Sequence, residues 1–162
     1  MREMDQNGLL LCEIQAKAFE CSADEMKCSS KIFIRRFMHS DIAIFMDHNS
    51  FLNTNLYYRD LLERVDEQYG ESDYGQVKFN KEELYWIGYI YRYYAYTYEL
   101  SSRRAYKIIK PDELRKVFLG YHTLSPAQAI ERILESKGLN KETELERQYR
   151  IFCKYRRKSK TD

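Results

Sequence analysis

Seven tyrosines and the only tryptophan of this chain lie within fourteen residues, from Tyr85 to Tyr98. So much aromatic surface is unfavourable in water, and it must be covered by the protein core, by a partner or by both. This segment therefore constrains the fold more than any other. Because a buried hydroxyl group needs a hydrogen-bond partner, the segment also predicts side-chain networks or hydroxyl groups that reach a wet rim.

Asn80 and Glu83 predict that the tyrosine-rich segment is a helix, because their spacing is that of a capping box. Ten aromatic and apolar residues of the segment cover about two-thirds of the helix circumference, so the helix needs neighbours on several sides. The remaining narrow stripe consists of Gly88, Arg92, Ala95 and Glu99. Partial alternation of tyrosines, at 89, 91 and 93 and again at 96 and 98, makes a strand the alternative interpretation.

Other helix boundaries follow from capping residues. Ser22 with Glu25 predicts a second capping box, Gly70 predicts a helix end, and Pro111 and Pro126 predict first helical positions. The chain has only two prolines and six glycines among 162 residues, and no hairpin pattern is evident. We therefore predict an all-α fold, a compact single domain over 1–162 with about seven or eight helices around the central tyrosine-rich helix. Residues 156–162 are predicted to be a disordered basic tail.

Charge and composition argue against several classes of protein, including membrane-spanning, secreted and zinc-binding proteins. The 27 basic and 25 acidic residues nearly cancel, so the chain has no strong overall field toward nucleic acid or membranes. No apolar run is long enough to cross a membrane, and acids near the N-terminus do not fit a signal peptide. The four cysteines have no zinc-site spacing. We expect a cytoplasmic protein with reduced thiols and without metal or other cofactor.

No catalytic motif is present. His39, His48 and His122 have no second ligand at metal-binding helical spacing, and nucleotide-binding and nucleophile-elbow motifs are missing. We therefore expect no enzymatic activity. One alternative, a nuclease, stays open. Arg35 and His39 lie on successive helical turns and are similar to the arginine–histidine pairs of small helical ribonucleases.

Two clusters of basic residues support a second hypothesis. One covers 103–116, with Arg103, Arg104, Lys107, Lys110, Arg115 and Lys116. The other covers 147–160 and contains no acid. Cationic side chains beside tyrosines suit nucleic acid, because they contact phosphates while the rings stack on bases. Solvated helix ends and docking onto an acidic protein are the alternatives.

Three stretches, Cys28–Met38, Tyr85–Tyr93 and Leu124–Arg132, resemble a group of small bacterial proteins of toxin–antitoxin operons. These proteins are encoded beside toxic enzymes, which include small alarmone synthetases and ADP-ribosyltransferase-like proteins. The resemblance implies an antitoxin-like protein that neutralises its cognate toxin by direct binding, without catalysis. Nucleic-acid binding through the basic clusters is the alternative function.

Tyrosine and arginine are enriched at the centres of protein interfaces, so we expect the tyrosine helix and the segment after it to contact the partner. The predicted partner-binding residues are Tyr89, Arg92, Tyr93, Tyr96, Arg103, Arg104 and Tyr106. For Arg92 two interpretations remain open. An outward side chain would bind a partner carboxylate, and an inward one would pair with Glu99 or with an acid on another helix.

Overall fold

The computed structural model describes residues 1–139, 148–149, 151–153 and 156, and this part of the chain contains helices and no strand. The all-α prediction is therefore confirmed, and the strand alternative for the tyrosine-rich segment is wrong. The α-helices are α1 (Gln6–Glu25), α2 (Ser30–His39), α3 (Asp41–Met46), α4 (Tyr58–Tyr69), α5 (Lys81–Thr97), α6 (Ser102–Ile108), α7 (Pro111–Tyr121) and α8 (Pro126–Ser136). A short 3₁₀ helix, Asn49–Asn53, follows α3. None of the helices described is long and apolar enough to cross a membrane.

These helices fall into two compact units, residues 1–127 and 128–162. The first unit holds α1 to α7. The second begins within α8, which starts at Pro126, as the sequence predicts, and is followed by Gly138 with a φ of 68°. A single domain over 1–162 stays a prediction. The predicted basic tail and the 147–160 cluster lie largely outside the described residues.

Helix α5 is the tyrosine-rich helix, and it begins as predicted. The Asn80 side chain accepts a hydrogen bond from the Glu83 amide (2.8 Å), and the Glu83 carboxylate accepts one from the Asn80 amide (3.2 Å). Eleven of its seventeen residues are buried. The helix contacts α1, α6 and α7, and its contact with α1 is the largest between any two helices described. It is thus the central helix of the first unit.

The contact between α1 and α5 depends on small side chains. A Cβ atom on Gly88 would lie 2.8 Å from Cγ of Phe19 and 3.0 Å from Cα of Ala16, so the two backbones approach closely at Gly88. Beside it, the Gln15 side-chain amide donates a hydrogen bond to the Gly88 carbonyl (3.0 Å). Phe19 also packs edge-on against Phe33 of α2, at 5.3 Å between ring centroids.

The predicted capping box at Ser22 is wrong. Helix α1 continues to Glu25, and the Ser22 hydroxyl donates to the Phe19 carbonyl inside the helix. The buried stripe of α1 runs to Ser22, so packing favours a longer helix than local capping signals indicate. Helix α2 begins instead after Ser29, whose side chain accepts from the Ile32 amide (3.3 Å).

Arg92 of α5 is the largest charged residue of the core, with 2% of its surface exposed. Its guanidinium donates to the Asp47 carboxylate (2.6 Å), to the Gln15 side-chain oxygen (2.8 Å) and to the Ser102 hydroxyl (2.8 Å). Asp47 in turn accepts from the Ser102 amide (2.9 Å). Arg92 therefore joins α1, the end of α3 and the start of α6. Of the two interpretations for Arg92, the internal ion pair is confirmed, with Asp47 rather than Glu99.

The first prediction concerns the close contact at Gly88. Gly88→Ala should lower the free energy of unfolding by about 1–2 kcal/mol, because overpacking against the Phe19 ring and the Ala16 backbone exceeds the gain in helix propensity. Gly120→Ala is the matched control, since a Cβ there meets nothing within 4 Å and should be neutral or stabilising. Urea unfolding followed by circular dichroism measures both. Equal stability of the two variants would contradict the close contact.

The second prediction concerns the buried ion pair. Asp47→Ala should cost about 3–5 kcal/mol of unfolding free energy, because Arg92 would remain buried without a counter-charge. Adding Arg92→Met should recover part of this loss, and a double-mutant cycle in urea measures the coupling. Lys31→Ala removes the exposed pair with Asp112 and should change stability by less than about 1 kcal/mol. Additive losses from Asp47→Ala and Arg92→Met would count against the pair.

Candidate protein-binding surface

One side of α5 carries three tyrosines that are only partly buried. Tyr85, Tyr89 and Tyr93 are spaced by four residues, so they follow one another along the helix surface. Their rings are nearly parallel, with centroids 6.5 Å apart for Tyr85 and Tyr89 and 6.4 Å apart for Tyr89 and Tyr93. Each ring covers the next, which leaves a continuous aromatic strip partly open to solvent.

Two depressions meet at Tyr85. An open groove of about 780 Å³ is lined by Trp86 and Tyr85 of α5, by Phe118 of α7 and His122 directly after it, and by charged residues of α1 and α5. A smaller hollow of about 200 Å³ lies between Tyr85, Tyr57 and the residues Leu10 and Ile14 of α1. We call Tyr57, Tyr85, Trp86, Tyr89 and Tyr93 the aromatic surface. Tyr57 is the exposed member of this surface, and Leu10 is exposed beside it.

Acids rather than bases border the aromatic surface. Glu13 and Glu20 of α1 lie close enough to Tyr85 to act on its ionisation, and Glu82 lines the larger groove. Lys17 pairs with Glu20 (3.3 Å), and Lys81 pairs with Asp24 (2.5 Å). The cations near this surface are thus matched by carboxylates. A phosphate backbone would not be attracted here.

Burial controls the ionisation of these tyrosines. Loss of hydration raises the pKa of Tyr89 to about 12, and Cys12 and Glu13 act in the same direction. Burial likewise raises the pKa of Tyr85 and of Tyr93. The phenols are therefore neutral near pH 7, and they offer hydroxyl groups that can both donate and accept hydrogen bonds.

The predicted partner-binding residues lie in different parts of the structure. Tyr89 and Tyr93 lie together on the aromatic surface. Arg92 is buried in its ion pair, so it is corrected from a surface residue to a core residue. Tyr96 is also buried: its hydroxyl donates to the Asp5 carboxylate (2.7 Å), and Arg2 lies over its ring. Both side chains are oriented inward because α1 and the segment before it pack against this side of α5.

Arg103, Arg104 and Tyr106 lie elsewhere. They belong to α6, which packs on the side of α5 that carries Tyr91. On this side the Tyr91 hydroxyl donates a hydrogen bond to the carbonyl of Ile109, just after α6 (2.6 Å). Two residues correspond to about 200° around a helix, so Tyr91 and Tyr89 are on nearly opposite sides. The predicted residues therefore do not form one surface.

The basic cluster 103–116 is divided as well. Arg115 pairs with Glu83 (3.0 Å) and lies over the Phe79 ring, so it stabilises the start of α5. Lys110 instead contacts the Tyr106 ring, with its Nζ atom 4.4 Å from the ring centroid. Closeness in sequence does not produce one basic surface here, because α6 and α7 are separate helices.

The structure also shows the surroundings of Arg35 and His39, the candidate nuclease pair. Nδ1 of His39 lies 2.7 Å from the carbonyl oxygen of Arg35, one turn earlier in α2. The His39 ring contacts Tyr106 edge-on, at 5.0 Å between centroids. Within the described part of the chain, no group of three or more His, Cys, Asp or Glu side chains is arranged to hold a metal ion.

Three members of the aromatic surface, Tyr57, Tyr85 and Trp86, are not among the residues that the sequence predicts to bind a partner. The four-residue spacing of Tyr85, Tyr89 and Tyr93 was a usable signal for the strip. No sequence signal assigns Tyr57 to the surface, because it joins the other tyrosines only through the packing of α4 against α1.

Comparison with known proteins adds no relative. No family model, no curated protein and no solved structure matches this chain.

The third prediction concerns alkaline pH. The folded-state pKa of Tyr89 is above its ordinary value of 10, so its contribution to stability is complete below pH 10 and is lost as the pH rises through about 12. The urea midpoint should therefore fall above pH 10. Tyr89→Phe keeps the ring but cannot ionise, and its midpoint should fall less between pH 10 and pH 11.5. An equal fall in both proteins would contradict this assignment.

Proposed function

We propose that this chain is an interaction protein that binds a protein partner through its aromatic surface. The observation that carries the proposal is the strip of stacked, half-buried tyrosines at 85, 89 and 93, which continues into the groove beside Trp86. Tyrosine and tryptophan are, with arginine, the residues enriched at interface hot spots. A strip that is partly open in the single chain would lose its remaining contact with water when a partner covers it.

The aromatic surface suits a protein partner better than it suits nucleic acid. The rings support each other by stacking, so little side-chain entropy is lost when a partner docks on them. Their hydroxyl groups satisfy polar groups at the rim of an interface. The carboxylates of Glu13 and Glu82 would meet a partner surface that is neutral or basic.

The proposed partner is a toxic enzyme encoded beside this chain, in keeping with the resemblance of three stretches to antitoxin-like proteins. Such a binder inhibits by covering the substrate or nucleotide site of the enzyme, or by holding its catalytic elements apart. Neither route requires a catalytic group on this chain.

The fourth prediction tests this function. Co-expression with the neighbouring enzyme should yield an equimolar complex and should restore the growth that the enzyme alone prevents. Tyr89→Ala combined with Tyr93→Ala should weaken the complex by at least about 30-fold in Kd, the equivalent of about 2 kcal/mol. Calorimetry on the purified proteins measures this change.

Tyr74→Ala is the matched control, since Tyr74 is exposed in the segment before α5 and does not belong to the aromatic surface. It should bind and protect like the unchanged chain. Circular dichroism checks that all variants are folded. Independent migration of the two unchanged proteins at micromolar concentration would refute the antitoxin role, and an unaffected double variant would refute this surface.

A further inference from the structure

Three ionisable residues of α2 form a row. Lys31, Arg35 and His39 are spaced by four residues, so they lie on one side of the helix at intervals of about 6 Å. Helix α6 packs beside α2 and places Tyr106 against this row. His39 contacts the Tyr106 ring edge-on, and Lys31 and Arg35 both act on the ionisation of the Tyr106 hydroxyl. The side chains of two helices therefore meet at one ring.

Helix α6 and the residue before α7 add a second row. Arg103 and Lys107 are four residues apart in α6, so they lie on one side of that helix. Lys110 follows the end of α6 and reaches the same ring, Tyr106, from the residue before α7. All three are exposed, and Lys110 lies over the Tyr106 ring. We call Lys31, Arg35, Arg103, Lys107 and Lys110, with His39 and Tyr106 between them, the α2–α6 basic face.

The positive charge of this face is largely uncompensated. Asp112 pairs with Lys31 at 2.7 Å. Among the described residues, Arg35, Arg103, Lys107 and Lys110 form no ion pair with a carboxylate. Yet residues 1–127 as a whole contain 17 basic and 19 acidic residues. Cations have thus been gathered on one side of a slightly acidic unit, and a polyanion would be attracted to that side.

The form of the face favours nucleic acid over an acidic protein. Phosphates recur at regular intervals along a strand, and the cations of α2 and α6 recur with each helical turn. Two ring side chains, His39 and Tyr106, lie among these cations, and rings of this kind stack on bases. An acidic peptide would use the cations but would have no comparable use for the rings.

We propose that the α2–α6 basic face binds single-stranded nucleic acid. The cations of the two rows contact the phosphate backbone, and a base stacks at the pair formed by His39 and Tyr106. This site is independent of the aromatic surface, which lies on the other side of α5. It also differs from the cluster at 103–116, because it includes Lys31, Arg35 and His39 of α2 and leaves out Arg104, Arg115 and Lys116.

The fifth prediction uses the full chain and a fluorescein-labelled 20-nucleotide oligouridine, with anisotropy measured between 50 and 200 mM salt. The logarithm of the affinity should fall with the logarithm of salt concentration with a slope of about −3 to −4, as expected for about five phosphate contacts. Arg35→Glu with Lys107→Glu should weaken binding at least tenfold and make this slope shallower.

Arg59→Glu with Arg64→Glu is the matched control, because it makes the same change in net charge at exposed positions of α4. It should remain within about twofold of the unchanged chain. His39→Ala should weaken binding at least about fivefold without changing the salt slope, since stacking releases no counterions. Circular dichroism confirms that each variant is folded.

Several outcomes would overturn the proposal. They are the absence of binding at 50 mM salt, unchanged binding by the Arg35→Glu and Lys107→Glu variant, and an equal loss in the α4 control. Competition by oligoglutamate as strong as that by unlabelled oligouridine would also overturn it, and would point to an acidic protein instead. Because no protein partner is present in this assay, its failure does not bear on the proposed function.

Discussion

The buried ion pair between Arg92 and Asp47 is the interaction on which the arrangement of the first unit depends. Removing both charges from water costs several kcal/mol, and the cost is met only when every hydrogen bond is made. Gln15 and Ser102 supply the remaining partners of the guanidinium. Four segments must therefore be in place together, which sets both the rotation of α5 about its axis and its position relative to α1. Gly88 then permits the close approach of the two backbones.

The rotation of α5 gives the two sides of the helix different roles. Tyr91 is oriented toward α6, and Tyr96 is covered by the segment before α1. Tyr85, Tyr89 and Tyr93 remain partly open on the other side. Tyrosines along one helix thus have different roles: some are buried and hydrogen-bonded in the core, and others form the candidate interface. The two proposed sites are separated in the same way, since the aromatic surface is bordered by acids and the α2–α6 basic face by cations.

Local signals in the sequence predicted the elements well. Asn80, Pro111 and Pro126 mark helix starts where the structure has them, and Gly70 marks a helix end. The prediction failed at Ser22, where a capping pattern lies inside a longer helix. It failed there because burial along α5 contributes more than a single cap does. The candidate site was predicted less well, because a helical period assigns residues to a side but does not say which neighbour covers that side.

What the sequence by itself determined is the all-α class, several helix boundaries and the central position of the tyrosine-rich helix. These follow from short-range physics, since capping, proline geometry and aromatic burial act within a few residues. Only the tertiary structure decided that Arg92 is buried, that Tyr89 and Tyr93 are open, and that His39 of α2 meets Tyr106 of α6. Such pairings join residues distant in the chain, and they depend on how whole helices pack.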